Sequence, residues 1–102
     1  YQITSLTEIV SGYKNIPEPV SCDFSFDISY ISDSLMLMPL VGFDSYKNRI
    51  GYGGGFYDRY IHKIPNIERI ALAYECQEYE YKLPIDNTDQ RPDFIITEKR
   101  IL

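Results

Sequence analysis

R-I-G-Y-G-G-G-F-Y-D-R runs from Arg49 to Arg59 and holds four of the chain's six glycines. Glycine adopts positive φ and lets a ligand approach the backbone closely. Successive amides in such a run can point into one concavity and bind an anion. Just beyond it, Phe56, Tyr60 and Ile64 share one helical stripe, with Tyr57 and Ile61 beside it. The pattern predicts a helix that Pro65 and Asn66 stop. A helix opening directly after the glycines would add its unpaired N–H groups and positive dipole end to the anion preference. Arg49 and Arg59 bracket the loop and can neutralise phosphate oxygens, with Lys47 further out. No G-K-[ST] follows, and the glycines do not open from a strand as G-x-G-x-x-G, so neither common nucleotide motif applies. The expectation is a phosphate-binding loop of another kind.

Outward from the loop the pattern is one of strands. Leu35, Met36, Leu37 and Met38 are apolar on both faces, which predicts a strand covered on both sides and ended by Pro39. Phe43 to Asn48 reads as a polar hairpin or loop. Ile70 to Tyr74 and Phe94 to Thr97 are two further apolar runs, separated by an acidic, tyrosine-rich stretch. Strands separated by a helix imply β-α-β connections, a mostly parallel central sheet flanked by helices, and the α/β class. Towards the N-terminus, Tyr1 to Ile3 reads as extended and Leu6 to Val10 as a helical turn, with Gly12, Pro17 and Pro19 preventing a longer helix. Phe24, Phe26, Ile28 and Tyr30 alternate with Asp23, Ser25, Asp27 and Ser29, the period of a half-exposed extended segment.

With 102 residues, 44% hydrophobic and 25% charged, the composition is that of one globular domain. A domain of this size has little spare material for a two-sided active site. The net charge of −5 counts against a nucleic-acid-coating protein, though not against a local basic pocket for one nucleotide. No apolar run approaches the roughly 20 residues of a membrane-spanning helix. Cys22 and Cys76 are far apart and form no C-x-x-C pair, which favours a reducing compartment and hence the cytoplasm. The first residues lack a signal-peptide pattern, and without an initiator Met the chain is expected to begin inside a longer polypeptide.

Asp58 falls in the first turn of the predicted helix, beside the expected phosphates. A carboxylate there either complements the dipole or helps to hold Mg²⁺, which usually takes one or two carboxylates together with phosphate oxygens and water. A second carboxylate would come from Asp86, Asp89 or Asp93. His62 is the sole histidine and reads as a surface residue, and a structural zinc site is short of ligands. Among the ten tyrosines, Tyr60 and Tyr74 read as packing residues. Tyr52 and Tyr57 sit within the glycine run and could stack on a ring or donate to a reacting oxygen.

The stretch Leu37 to Arg59, with M-P-L-V-G-F-D-S-Y-K-N-R-I-G-Y-G-G-G-F-Y-D-R at its heart, resembles the signature of the 5-formyltetrahydrofolate cyclo-ligases. I-P-E-P ending at Pro19, Gln77, Leu83-Pro84, Asp89 and D-F-I-I-T-E from Asp93 to Glu98 extend the resemblance over nearly the whole chain. It implies an α/β fold related to ribose-phosphate isomerases and CoA transferases. It also implies ATP- and Mg²⁺-dependent closure of 5-formyltetrahydrofolate to 5,10-methenyltetrahydrofolate, with ADP and phosphate released. By position, Arg49, Ile50, Gly51, Tyr52, Gly53, Gly54, Gly55, Phe56 and Tyr57 would wrap ATP. Tyr52 to Phe56 would also border the folate, Asp58 and Asp89 would hold Mg²⁺, and Arg49, Tyr57 and Arg59 would act in catalysis. Members of the family are nearly twice as long, so the chain is expected to be a C-terminal half. An apolar edge would then pair with the absent half or drive self-association. The alternative is a non-catalytic nucleotide-binding module using the same loop.

Overall fold

The computed structural model describes residues 3–20 and 32–102. The alternating segment from Phe24 to Tyr30 lies outside the described residues, as do Cys22, Tyr1 and Gln2.

Ser5 caps a 3₁₀ turn at Leu6–Glu8, its hydroxyl accepting from the Thr7 amide. The chain then runs into strand β1 (Ile9–Ser11), where a helical turn to Val10 was expected. β1 pairs antiparallel with β2 (Pro17–Pro19) in a small hairpin with no buried residue. Prolines are accommodated there because a two-stranded ribbon leaves each strand an edge on which no N–H is needed.

β3 (Leu35–Met38), β6 (Glu68–Leu72) and β8 (Phe94–Ile96) form a three-stranded parallel sheet in the order β3-β6-β8. A second sheet, in the order β5-β4-β7, joins β4 (Gly42–Asp44) antiparallel to β5 (Arg49–Ile50) and parallel to β7 (Glu78–Tyr79). Among the described residues the expected single sheet is therefore two three-stranded sheets, beside the small β1-β2 hairpin. The crossover from β3 to β6 carries helix α1 (Phe56–Lys63), as a β-α-β unit should, whereas that from β6 to β8 carries only a 3₁₀ turn (Glu75–Gln77) and β7. The hairpin read as polar, Phe43 to Asn48, places Phe43, Asp44 and Asn48 wholly inside.

Register explains the core. Met38, Ala71 and Ile95 stand side by side on one face of the parallel sheet and are buried against Leu40, Phe43 and Ile61. The next row, Leu37, Ile70 and Phe94, faces the other way with Leu35, Leu72 and Ile96. Leu37 is 56% and Leu72 58% exposed. Expecting β3 to be covered on both sides was thus wrong for the described residues: one face packs and the other is open. α1 also departs from its expected stripe. Ile61 and Ile64 are buried, while Phe56 and Tyr60 face outward. Tyr74, expected to pack, lies beyond the end of β6 and is exposed.

Candidate functional site

β5 hands the chain to the glycine run and α1 takes it away. Gly53, Gly54 and Gly55 all have positive φ, at 93°, 77° and 62°. Gly55 is the N-cap of α1 in the left-handed conformation, with no side-chain cap hydrogen bond, so the first turn of the helix opens directly onto the loop. Among the described residues, the amides of 51–55 donate to no protein acceptor. Unpaired amides at a helix N-terminus are what an anion needs.

The loop walls a cavity of about 370 Å³. Residues 49–53 and 55–58 line one side; Pro84, Ile85 and residues 89–91 line the other, with Pro39 between them. Asp58 and Asp89, remote in sequence, share this cavity. Asp58 accepts from the Gln90 amide (2.8 Å) and Arg49 (3.5 Å) through Oδ1 alone. Asp89 accepts from the Asp86 amide (2.8 Å) through Oδ2. Each therefore keeps one oxygen without a hydrogen bond among the described residues. Asp93 is spent elsewhere, bracketing Arg69 with both oxygens. Asp86 does not line the cavity. No cluster of three or more His, Cys, Asp or Glu among the described residues could hold a metal by itself. Two carboxylates lining one cavity with the glycine loop would nevertheless suit Mg²⁺, which usually takes its remaining ligands from phosphate and water.

The cations divide by position. Arg49 lines the cavity, whereas Arg59 turns back to the Gly54 carbonyl, stacks over Phe56 (4.9 Å) and lines no part of it. Lys47 reaches the Asp93 carbonyl (2.9 Å) rather than the loop. Tyr52 and Phe56 are strongly exposed at the cavity wall, and Tyr57 lies under the Arg49 guanidinium. His62 is on the surface.

Asp44 supports this wall and was missed in the sequence. It accepts from the amides of Tyr46, Asn48 and Leu83 and from the Asn48 side chain, at 2.7–2.9 Å. It thereby fastens the hairpin that leads to Arg49 onto Leu83-Pro84, the start of the opposite wall. Burial pushes its carboxyl up, but the four hydrogen bonds outweigh that and hold it below the usual carboxylate value. D-S-Y-K-N, an acid with an asparagine four residues on, is the local turn signal that could have marked it. Gln90 and Arg91, also on the cavity wall, carry no such signal.

Together these features define an α/β protein with a glycine-loop cleft at a strand–helix junction, where unpaired amides could receive an anion. Residues 1–98 match the model of the 5-formyltetrahydrofolate cyclo-ligase family, and the chain belongs to that family. It is 35% identical over 69 residues to the 5-formyltetrahydrofolate cyclo-ligase of Escherichia coli K12, covering 66% of this chain and 37% of that protein. It is 46% identical over 57 residues to the Haemophilus influenzae cyclo-ligase, covering 54% and 30%. The structure of Aquifex aeolicus 5,10-methenyltetrahydrofolate synthetase superposes with a TM-score of 0.70 at 30% identity, over 95% of this chain and 47% of that one. The chain thus spans about half the length of these relatives or less.

Proposed function

We propose that this chain supplies the nucleotide-gripping part of a 5-formyltetrahydrofolate cyclo-ligase, converting 5-formyltetrahydrofolate and ATP to 5,10-methenyltetrahydrofolate, ADP and phosphate. The observation that carries the reading is the single cavity shared by the unpaired loop amides, the N-terminus of α1, Asp58 and Asp89. Arg49 to Tyr57 would border ATP, with Tyr52 to Phe56 also facing the folate. Asp58 and Asp89 would hold Mg²⁺, which neutralises phosphate charge when bound. Tyr57 can donate to an oxygen of the reacting groups, and Arg59 holds the loop through Gly54. A formamide oxygen leaves poorly until it is phosphorylated, and the protein's part in such a transfer is to position and to neutralise. The same reading makes the fold a C-terminal part of a ribose-phosphate isomerase/CoA transferase-like domain, acting in the cytoplasm, whose open sheet face meets the remaining half.

Two measurements test it. Titrating the chain with ATP and Mg²⁺ should give saturable binding that Asp58→Asn weakens, and no binding at millimolar ATP would refute the site. The chain alone should form little or no methenyl product. Turnover at the rate of full-length relatives would refute its incompleteness.

A further inference from the structure

Lys47 stands where a turn ordinarily takes glycine. It closes the β4–β5 hairpin, its amide donating to the Asp44 carbonyl (3.0 Å) while the Asp44 amide donates to the Asn48 carbonyl (3.1 Å). In a hairpin loop of this kind the last residue turns left-handed, a conformation glycine adopts without steric cost. Lys47 adopts it with a φ of 64°. A residue other than glycine held in that region directs attention to what its side chain does. The Lys47 side chain is half-buried, and its ammonium donates to the Asp93 carbonyl (2.9 Å), 46 residues away.

Further contacts of the same turn fall on the same distant segment. Asp44 accepts from the Leu83 amide, and the Tyr46 carbonyl accepts from Arg91 (3.3 Å). The Lys82 ammonium lies 5.5 Å from the centre of the Tyr46 ring. The turn thus holds the stretch from Lys82 to Asp93 near both of its ends, and Asp89 lies between them on the cavity wall. Asp93 is itself tied to β6. Its amide donates to the Arg69 carbonyl (2.8 Å), its carboxylate brackets Arg69, and Arg69 Nη1 donates to the Gln90 side chain (3.2 Å).

We propose that Lys47 is a positioning residue. Its ammonium pins the C-terminal end of the wall that carries Asp89, as Asp44 pins the N-terminal end, and so fixes Asp89 relative to the glycine loop. The bond to Asp93 offsets a backbone conformation that glycine would adopt freely. For its effect on a bound nucleotide the inference rests on the function proposed above; the pin itself does not.

The test compares the unaltered chain with Lys47→Gly, Lys47→Met and Lys47→Arg. It reads urea unfolding, hydrogen exchange at the Gln90 amide, and binding of ATP with Mg²⁺. Exchange at the Ile95 amide verifies that the parallel sheet is intact. Lys47→Gly removes the ammonium together with the unfavourable φ, whereas Lys47→Met removes the ammonium and keeps the φ. Lys47→Gly should therefore unfold at a higher urea concentration than Lys47→Met. Both should nevertheless speed Gln90 exchange and weaken ATP binding alike, by about tenfold, the scale of one charge-assisted hydrogen bond. Lys47→Arg keeps a charged donor and should recover most of both losses. Unchanged Gln90 exchange in Lys47→Gly would overturn the proposal. With ATP binding also unchanged, Lys47 would be a turn residue only; with ATP binding lost, its ammonium would meet phosphate directly. If the unaltered chain binds no ATP, the function proposed above fails instead, and Gln90 exchange alone decides the pin.

Discussion

Asp44 shows how much of a site can rest on a residue that never meets a ligand. Removing it as Asp44→Ala leaves the Leu83 and Asn48 donors buried without an acceptor, and should cost roughly 2–4 kcal/mol in urea unfolding at neutral pH. Its carboxyl is held below its usual 3.8, so its contribution is complete above that value. It is lost as the pH falls below 3.8 through the folded-state value. Unfolding curves at pH 7 and pH 3 should therefore show a smaller acid loss in Asp44→Asn than in the unaltered chain. Asp58 was legible in the sequence because position in a helix's first turn can be read locally. The choice of Asp89 over Asp86 and Asp93 came only from the family resemblance. Where the chain folds back depends on Asp44, whose partner Leu83 is 39 residues away.

Among the elements, α1 is the one whose existence was plain and whose orientation was not. Its boundaries agree with the stop at Pro65 and Asn66, but of the expected stripe only Ile64, at the end of the helix, is buried, together with Ile61 from beside it. Phe56 and Tyr60, the other two residues of that stripe, face outward. Ile61→Ala should lower stability by roughly 2–5 kcal/mol, whereas Tyr60→Ala should stay within about 0.5 kcal/mol, both read by thermal or urea unfolding. Gly55→Ala forces a side chain into the left-handed N-cap and should cost about 1 kcal/mol. It should also weaken ATP binding, because the first turn can no longer face the loop unstrained. β4 was hidden for a different reason: three residues with one acid and a glycine have no periodicity to detect.

At the scale of the molecule, the parallel sheet as far as the described residues go is packed on one face and open on the other, where Leu35, Leu37, Leu72 and Phe94 are exposed. Parallel sheets are ordinarily covered on both faces. The radius of gyration, 15.1 Å, also exceeds the ~13 Å of a compact chain of this length. Light scattering with rising concentration should show self-association, and Leu37→Glu/Leu72→Glu should suppress it. A monomer at every concentration before substitution would contradict this. The sequence showed the apolar residues of these strands but not which face would be covered, because a run apolar on both sides has no alternation to orient it.

The bond from the Leu83 amide to Asp44 also bears on how quickly this chain is made and undone. A contact across so long a loop is entropically costly early in folding, when little else holds the two ends together. Its formation belongs after the rate-limiting barrier, so its removal should quicken unfolding while refolding proceeds at nearly its former rate. The cavity wall that this bond anchors would then be among the last regions to close and the first to open.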